Sequence, residues 1–356
     1  MIRFSKIFLG FTLILLLLWQ LPWCYDFFTA KPSKSAFVLY SPLIGDFVMT
    51  AWQEGPKGKE IVRCDLAGNK YTEEEVDSLL PTFYYRQLMS DERFPHSING
   101  VAVTPRSIQI ENFIFKISPT DVNAPRIGLY PLLESMSGRL KLEMPGDVFR
   151  ITSHGIEFVD METNKLKKKK SAHFTEVLEK KGFHFPAKVI EGNPTTRKDY
   201  DEGYVLLDAN RQLFHLKQVK GRPYVRAVHL PDTLKLKHLF ITEFRNRKTL
   251  AFMTDENHSL YVLTTAYQVK KVDIPSFNPE REAASIIGNM FDWTLRITSL
   301  EKESYFAVNA ADYSLLKSME SPSEEESFAE KAGHYLFPVR LSFTSALDRF
   351  VKPRIN

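Results

Sequence analysis

The chain has 356 residues, is 44% hydrophobic and 25% charged, and carries a net charge of +4, so it has apolar side chains enough for a core and is not a disordered chain. Its two cysteines, Cys24 and Cys64, exclude a disulfide framework, which needs several pairs. Beyond residue 30 there are 45 Lys and Arg against 42 Asp and Glu, a balance that gives no footing for a nucleic-acid partner.

Residues 7–28 open the chain with an apolar run, Ile7 to Leu21, extended through Pro22-Trp23-Cys24-Tyr25-Asp26-Phe27-Phe28. This is about the 20 residues a helix needs to cross hydrocarbon. Arg3 and Lys6 precede it, Trp19, Trp23 and Tyr25 mark its far end, and Asp26 is the first charge beyond. The positive-inside bias and the aromatic belt predict a single-span anchor, with residues 1–6 a cytoplasmic tail, 29–35 a linker and 36–356 an extracytoplasmic domain. A cleaved signal and a lipoprotein acylated on Cys24 are the two rivals. Both need small residues where the chain has Leu21-Pro22-Trp23-Cys24-Tyr25.

Past the linker the pattern turns to strands: Ala36–Tyr40, Gly45–Thr50 and Lys59–Asp65, separated by Ser41-Pro42 and closed by Ala67-Gly68-Asn69. Cys64 reads here as a small buried residue. Residues 72–94 break the rhythm. Thr72 with Glu75 three positions on is a capping-box pattern, and Val76, Leu79, Leu80, Phe83, Tyr84 and Leu88 recur near the helical period, with Pro81 splitting or kinking the segment. Ala172–Lys181, ended by Gly182, is a second predicted helix, and no other convincing helix follows. The run Lys167–Lys170 reads as an exposed turn, and Ser321–Ser327 as a solvated linker.

The remainder reads as hairpins. Tyr204–Asp208, Gln212–Gln218 and Tyr224–Val228 form a predicted meander with turns at Ala209-Asn210 and Lys220-Gly221. The scheme returns at His238–Phe244, Thr249–Met253, Ser259–Thr264 and Gln268–Ile274. Asp208, Leu213, Phe214 and Leu216 fall on Asp255, Leu260, Tyr261 and Leu263, a shift of 47 residues each time. A looser copy spans Ser285–Asn289, Trp293–Thr298, Tyr305–Asn309 and Tyr313–Lys317. Units of this length predict a mainly β, propeller-like domain of about six blades, with 72–94 as a helical insertion. One further unit would lie around Ser107–Ile117, and Tyr335–Phe343 would close the ring against Phe37–Tyr40. A sandwich or another split β domain is the alternative.

Chemistry is sparse. There is no His-Glu-x-x-His, Gly-x-Ser-x-Gly or Walker-type loop. The nine histidines are scattered, so neither a metal nor a cofactor is expected. Carboxylates that could pair for glycoside chemistry are Asp199, Asp201, Glu202 and Asp292, although acids in polar loops are ordinarily just solvated. Tyr84, Tyr85 and Arg86 are of the residue types that anchor interfaces and form the candidate interface, with Tyr84 equally suited to a core.

Five phrases, Phe37-Val38-Leu39-Tyr40-Ser41, Tyr84-Tyr85-Arg86-Gln87-Leu88, Gly155-Ile156-Glu157-Phe158-Val159-Asp160, Gly192–Lys198 and Asp201-Glu202-Gly203-Tyr204, occur together. In these the chain resembles an uncharacterised family of membrane-anchored bacterial envelope proteins carrying a domain of unknown function, over almost its whole length. Members are often encoded beside ABC-transporter subunits. The resemblance implies a non-enzymatic binding or accessory role at a membrane complex and assigns no site residue. An envelope glycan hydrolase on the same scaffold is the alternative, and a small-ligand sensor with a closed pocket and no acid pair is a third reading.

Overall fold

The computed structural model describes residues 2–29, 36–55, 58–136, 141–299, 302–321 and 327–355. Of the expected linker at 29–35, Thr29 ends the first helix and residues 30–35 lie outside them, as do residues 322–326 of the acidic run. The apolar run forms a 28-residue helix, α1 (Ile2–Thr29), long and apolar enough to cross a membrane.

After α1 the chain is mainly β. Strands β1 (Phe37–Ser41), β2 (Asp46–Gly55) and β3 (Gly58–Asp65) make an antiparallel sheet. Helices α2 (Glu73–Leu79) and α3 (Tyr85–Ser90) follow, then the small hairpin β4 (Ser97–Ile98) and β5 (Val101–Ala102). Next come α4 (Pro105–Glu111), β6 (Phe113–Ile117) and the single turn α5 (Pro119–Val122). The hairpin β7 (Asp147–Thr152) and β8 (Gly155–Asp160) packs on α6 (Lys168–Lys180). Two four-stranded antiparallel sheets succeed it: β9 (Val189–Gly192), β10 (Tyr204–Leu207), β11 (Leu213–Val219) and β12 (Arg222–Val228), then β13 (Leu236–Ile241), β14 (Thr249–Asp255), β15 (Leu260–Thr264) and β16 (Val269–Lys271). The last large sheet joins β17 (Ala283–Gly288), β18 (Asp292–Thr298), β19 (Glu303–Asn309) and β20 (Leu315–Glu320) to β6, which pairs antiparallel with β17. Helix α7 (Phe328–Leu336) and the short pair β21 (Leu341–Ser342) and β22 (Arg354–Ile355) end the chain.

The repeat seen in sequence is real and its physical basis is a turn. The carboxylates of Asp65, Asp208 and Asp255 each accept the backbone N–H four residues on, from Asn69, Gln212 and Ser259, at 2.8–2.9 Å. The residue before that donor turns left-handed: Gly68 (φ 86°), Arg211 (φ 63°) and His258 (φ 62°). Asp160 and Asn309 cap looser versions, with Asn164 (φ 54°) and Tyr313 (φ 64°) left-handed. The 47-residue shift places β10–β11 and β14–β15 in the same positions of consecutive sheets.

Apolar clusters join the sheets in a row. Phe149, Phe158 and Phe174 of the β7–β8 and α6 unit pack on Tyr204, Leu206 and Phe214. Val205, Leu207 and Leu213 meet Leu239, Leu250 and Met253 of the next sheet, whose Phe252 and Val262 meet Phe113, Ile286 and Leu295. Val38 and Phe47 of the first sheet pack against Tyr305 and Ala307 of the last, so the two ends of the domain are neighbours. Each such Phe or Leu contributes about 1.5–3 kcal/mol by leaving water.

Several expectations need correction. Ser107–Ile117 is not a separate β unit: Thr104 caps α4 with Pro105 at its first position, and β6 joins the last sheet. Tyr335–Phe343 does not close against Phe37–Tyr40. Most of it follows α7, a helix whose start is fixed by the Ser327–Glu330 capping box. The lysine run is not an exposed turn but the start of α6, with Lys167 and Lys170 both on the buried carboxylate of Asp147 at 2.9 Å. Cys64 is half-buried rather than buried.

Candidate functional site

The insertion at 72–94 is built as its sequence suggests. Thr72 and Glu75 form a reciprocal capping box, and Pro81 lies between the two helices. Arg93 staples them: its guanidinium donates to the Glu74 carbonyl and the Ser78 hydroxyl and lies 3.8 Å from the Asp77 carboxylate. Burial raises the Asp77 carboxyl above its ordinary range and Arg93 pulls it back. The insertion is bonded to the sheets on both sides, through Ser41 Oγ to the Leu79 carbonyl (2.5 Å) and Asn112 Nδ2 to the Thr82 carbonyl (2.6 Å).

The three candidate interface residues part company. Tyr84 is half-buried and packs against Leu39, Val48, Val76 and Leu80. Tyr85 is half-buried against Ile98, Val103 and Ile108, and the exposed Arg86 donates from Nε to the Tyr85 hydroxyl at 3.0 Å with its guanidinium 5.7 Å from the ring centroid. They stand at a cavity of about 610 Å³ between the insertion, β1, the start of β6 and the β17–β18 turn. Its walls are chiefly apolar: Leu39, Leu80, Phe83, Phe113, Ile114 and Ile287. Gly288 allows the wall to close, because a Cβ there would lie 2.3 Å from the Phe113 ring. That ring stacks on Phe244 at 4.1 Å and meets Trp293 edge-on at 5.2 Å.

One acid lines this cavity. Asp292 is 1% exposed, accepts from Asn289 Nδ2 at 3.2 Å through one oxygen, and leaves its other oxygen without a hydrogen-bond partner. Burial pushes its carboxyl up to about 7, against a small downward pull from Asn289. Asn112 Oδ1, in the same lining, also lacks a partner. Beside Asp292, Thr294 Oγ accepts the Tyr40 N–H at 3.0 Å, and burial followed by the Asp292 charge raises the Tyr40 hydroxyl.

The other carboxylates lie elsewhere and are engaged. Asp199 faces solvent near Arg245 (3.6 Å). Glu202 pairs with Lys217 at 2.7 Å, and its carbonyl contacts the buried His215 Nε2 at 2.5 Å. Burial depresses His215 to about 4, a neutral ring whose Nδ1 meets the Tyr267 hydroxyl. Asp201 shares Lys198 with Glu243, both at 2.5 Å. Glu243 borders an adjoining groove of about 400 Å³ that shares Tyr85, Arg86, Asn112 and Phe113 with the cavity. Its oxygens are taken by Lys198 and the Glu202 N–H on one side and by Asn193 Nδ2 on the other. Burial raises Asp201 and Glu243 while Lys198 pulls both back. Among the described residues no group of three His, Cys, Asp or Glu side chains could hold a metal ion.

Sequence reasoning found Tyr85, Arg86 and Asp292 but not that they share a cavity, and it missed Asn112, Phe113, Gly288 and Asn289. The pairing of β6 with β17 carries Asn112 and Phe113 there from about 170 residues away.

A model of the family described as "Domain of unknown function (DUF4857)" matches residues 37–308. The chain is a member of the DUF4857 family. That match covers the cavity and the strands from β1 to β19, and leaves out β20, α7 and the β21–β22 pair. No curated protein matches the chain. Similar solved structures include PorZ, a bacterial surface component of the type-IX secretion system of Porphyromonas gingivalis (12% identity, TM-score 0.25), over 83% of this chain and 28% of that one. The β-propeller domain of Cps50 (Swd1) from Myceliophteria thermophila is 9% identical, TM-score 0.26, over 83% of this chain and 89% of that one. The dihydro-heme d1 dehydrogenase NirN is 10% identical, TM-score 0.24, over 73% and 68%. TM-scores this low do not establish a shared fold, and the DUF4857 chain spans only a minor part of PorZ.

Proposed function

We propose that this DUF4857 protein is a non-enzymatic, membrane-anchored binding protein, an accessory to an envelope complex such as an ABC-type transporter. Its partner engages the cavity beside Tyr85 and Arg86. In this reading α1 spans the cytoplasmic membrane with Arg3 and Lys6 inside. The sheets stand in the periplasm as blades of a propeller-like ring, a view supported by the contact of the first sheet with the last.

The observation that carries the reading is the apolar cavity whose described lining holds a single acid, edged by an arginine with no acidic partner among the described residues. An apolar side chain of a partner would fill it, and a neighbouring carboxylate would pair with Arg86. Glycan hydrolysis needs two available carboxyls about 5–10 Å apart across a cleft. Among the described residues Asp292 is the one acid lining the cavity, and Glu243 next door is fully bonded.

Co-purification from gently solubilised native membranes tests this, with the full-length chain as bait and the Tyr85→Ala/Arg86→Glu double variant beside it. A stoichiometric envelope partner with the wild type, reduced by about tenfold or more in the variant, is the expected result, since an aromatic and an arginine at an interface centre each carry about 2 kcal/mol or more. Equal recovery from both baits, or bait alone from the wild type, sinks the reading.

A further inference from the structure

The outer half of α1 is not free of the body. Trp19 meets Phe343 edge-on with ring centroids 5.0 Å apart, and Tyr25 meets Phe337 at 5.6 Å. The Tyr25 hydroxyl donates to the Ala329 carbonyl at 2.9 Å, and Arg340 pairs with Asp26 at 3.0 Å. Gly333 is buried against Tyr25, where a Cβ would come within 2.9 Å of the ring. Trp19 lies ten residues before the end of α1, about 15 Å along the axis. If α1 crosses a bilayer from Ile7, about 20 residues of hydrocarbon reach to Asp26. Trp19 and Tyr25 then sit in the outer leaflet and at its interface, and the segment that touches them shares their depth.

The outward face of that segment fits such a place. Phe328 is 88% and Tyr335 87% exposed, and they lie seven positions apart on one face of α7. Leu336, Val339, Val351 and Ile355 are exposed in the same segment. Of the five Lys and Arg in residues 327–355, Arg340, Arg349 and Arg354 pair with Asp26, Asp121 and Asp348, while Lys331 and Lys352 are exposed beside the apolar groups. Exposed aromatic and aliphatic groups among cations are the composition of an interfacial helix on an anionic leaflet. Trp23, Phe27 and Phe28 on α1 are exposed beside it and continue the belt.

We infer that residues 327–355 form a membrane collar: α7 and the β21–β22 pair lie in the outer headgroup region around α1, with apolar side chains toward the acyl boundary and Lys331 and Lys352 on lipid phosphates. The inference rests on the anchor assigned under the proposed function, and extends it by fixing the body against the bilayer instead of leaving it on a tether.

Depth measurement tests it on the full-length chain, with Cys24→Ser and Cys64→Ser as background. Single cysteines are introduced as Tyr335→Cys, Leu15→Cys in the span and Lys271→Cys on the body, spin-labelled, and reconstituted in phosphatidylethanolamine–phosphatidylglycerol vesicles. Collisions with oxygen and with a water-soluble nickel chelate are then compared. The label at 335 is expected to favour oxygen several-fold over the label at 271, though less than the label at 15. A 335 label as accessible to the chelate as 271, with 15 still deep, overturns the collar and leaves the anchor standing. A 335 label shielded from both reagents overturns it in favour of a second copy of the chain on this face. An aqueous label at 15 removes the anchor and the collar together.

Discussion

Lys198→Met is expected to destabilise the protein by about 3–5 kcal/mol, the cost of leaving buried charges without their partner. Lys198 is 8% exposed and the Asp201 and Glu243 carboxylates 2% each. Its ammonium also donates to the Asn193 carbonyl. This one cation therefore ties the loop before β10 to the end of β13. Methionine keeps the stem and its packing and deletes only the charge. The loss should shrink in acid: without Lys198 both carboxyls, already raised by burial, take up protons and the repulsion between them fades. Combining Lys198→Met with Asp201→Asn and Glu243→Gln should recover most of the stability, since a matched neutral set needs no counter-charge. Denaturant unfolding of the three detergent-solubilised proteins at pH 5 and 8 checks this. A single variant as stable as the wild type at pH 8 would mean that the cluster contributes nothing.

Asp292→Asn is expected to stabilise at pH 8 by about 3–4 kcal/mol and to change little at pH 4. The carboxyl is raised from 3.8 to about 7 by burial. The folded protein thus binds this proton more tightly than the unfolded chain does. The stability associated with it is fully present below about pH 4 and is lost as pH rises through 7. Three pKa units at 1.36 kcal/mol each set the size. Asparagine has nothing to ionise, keeps an oxygen to accept from Asn289, and adds no volume to the cavity. Subtracting the two unfolding curves isolates this site from the other buried acids, Asp77, Glu191, Asp201 and Glu243. A difference that stays flat between pH 4 and 8 would refute it.

How far the sequence leads depends on whether a feature is local. The α1 span, the Thr72 capping box and the paired helices around Pro81 follow from neighbouring residues, and so do the Asp208 and Asp255 turns. Two helix starts are equally local yet fall outside the expected helices: Thr104 with Pro105, and Ser327, the last residue of a run that reads as a solvated linker, with Glu330. The cavity is another matter. Asp292 stands out only as an acid beside Trp293, while the aromatic wall it faces arrives on β6 through a pairing that no periodicity announces. Tyr84 and Tyr85 are indistinguishable by type. In the structure both are half-buried, Tyr84 against Leu39 and Val76, Tyr85 against Ile98 and Ile108 at the edge of the cavity.

The central claim is that the cavity beside Tyr85 and Arg86 is where a partner binds. The most direct measurement places a photo-reactive benzophenone amino acid at position 83, on the cavity wall, in the full-length chain in native membranes. Irradiation is expected to give one discrete adduct with an envelope protein, lost on adding Arg86→Glu and absent when the same group is placed at position 271. No adduct from position 83, or the same adducts from 83 and 271, would contradict the claim.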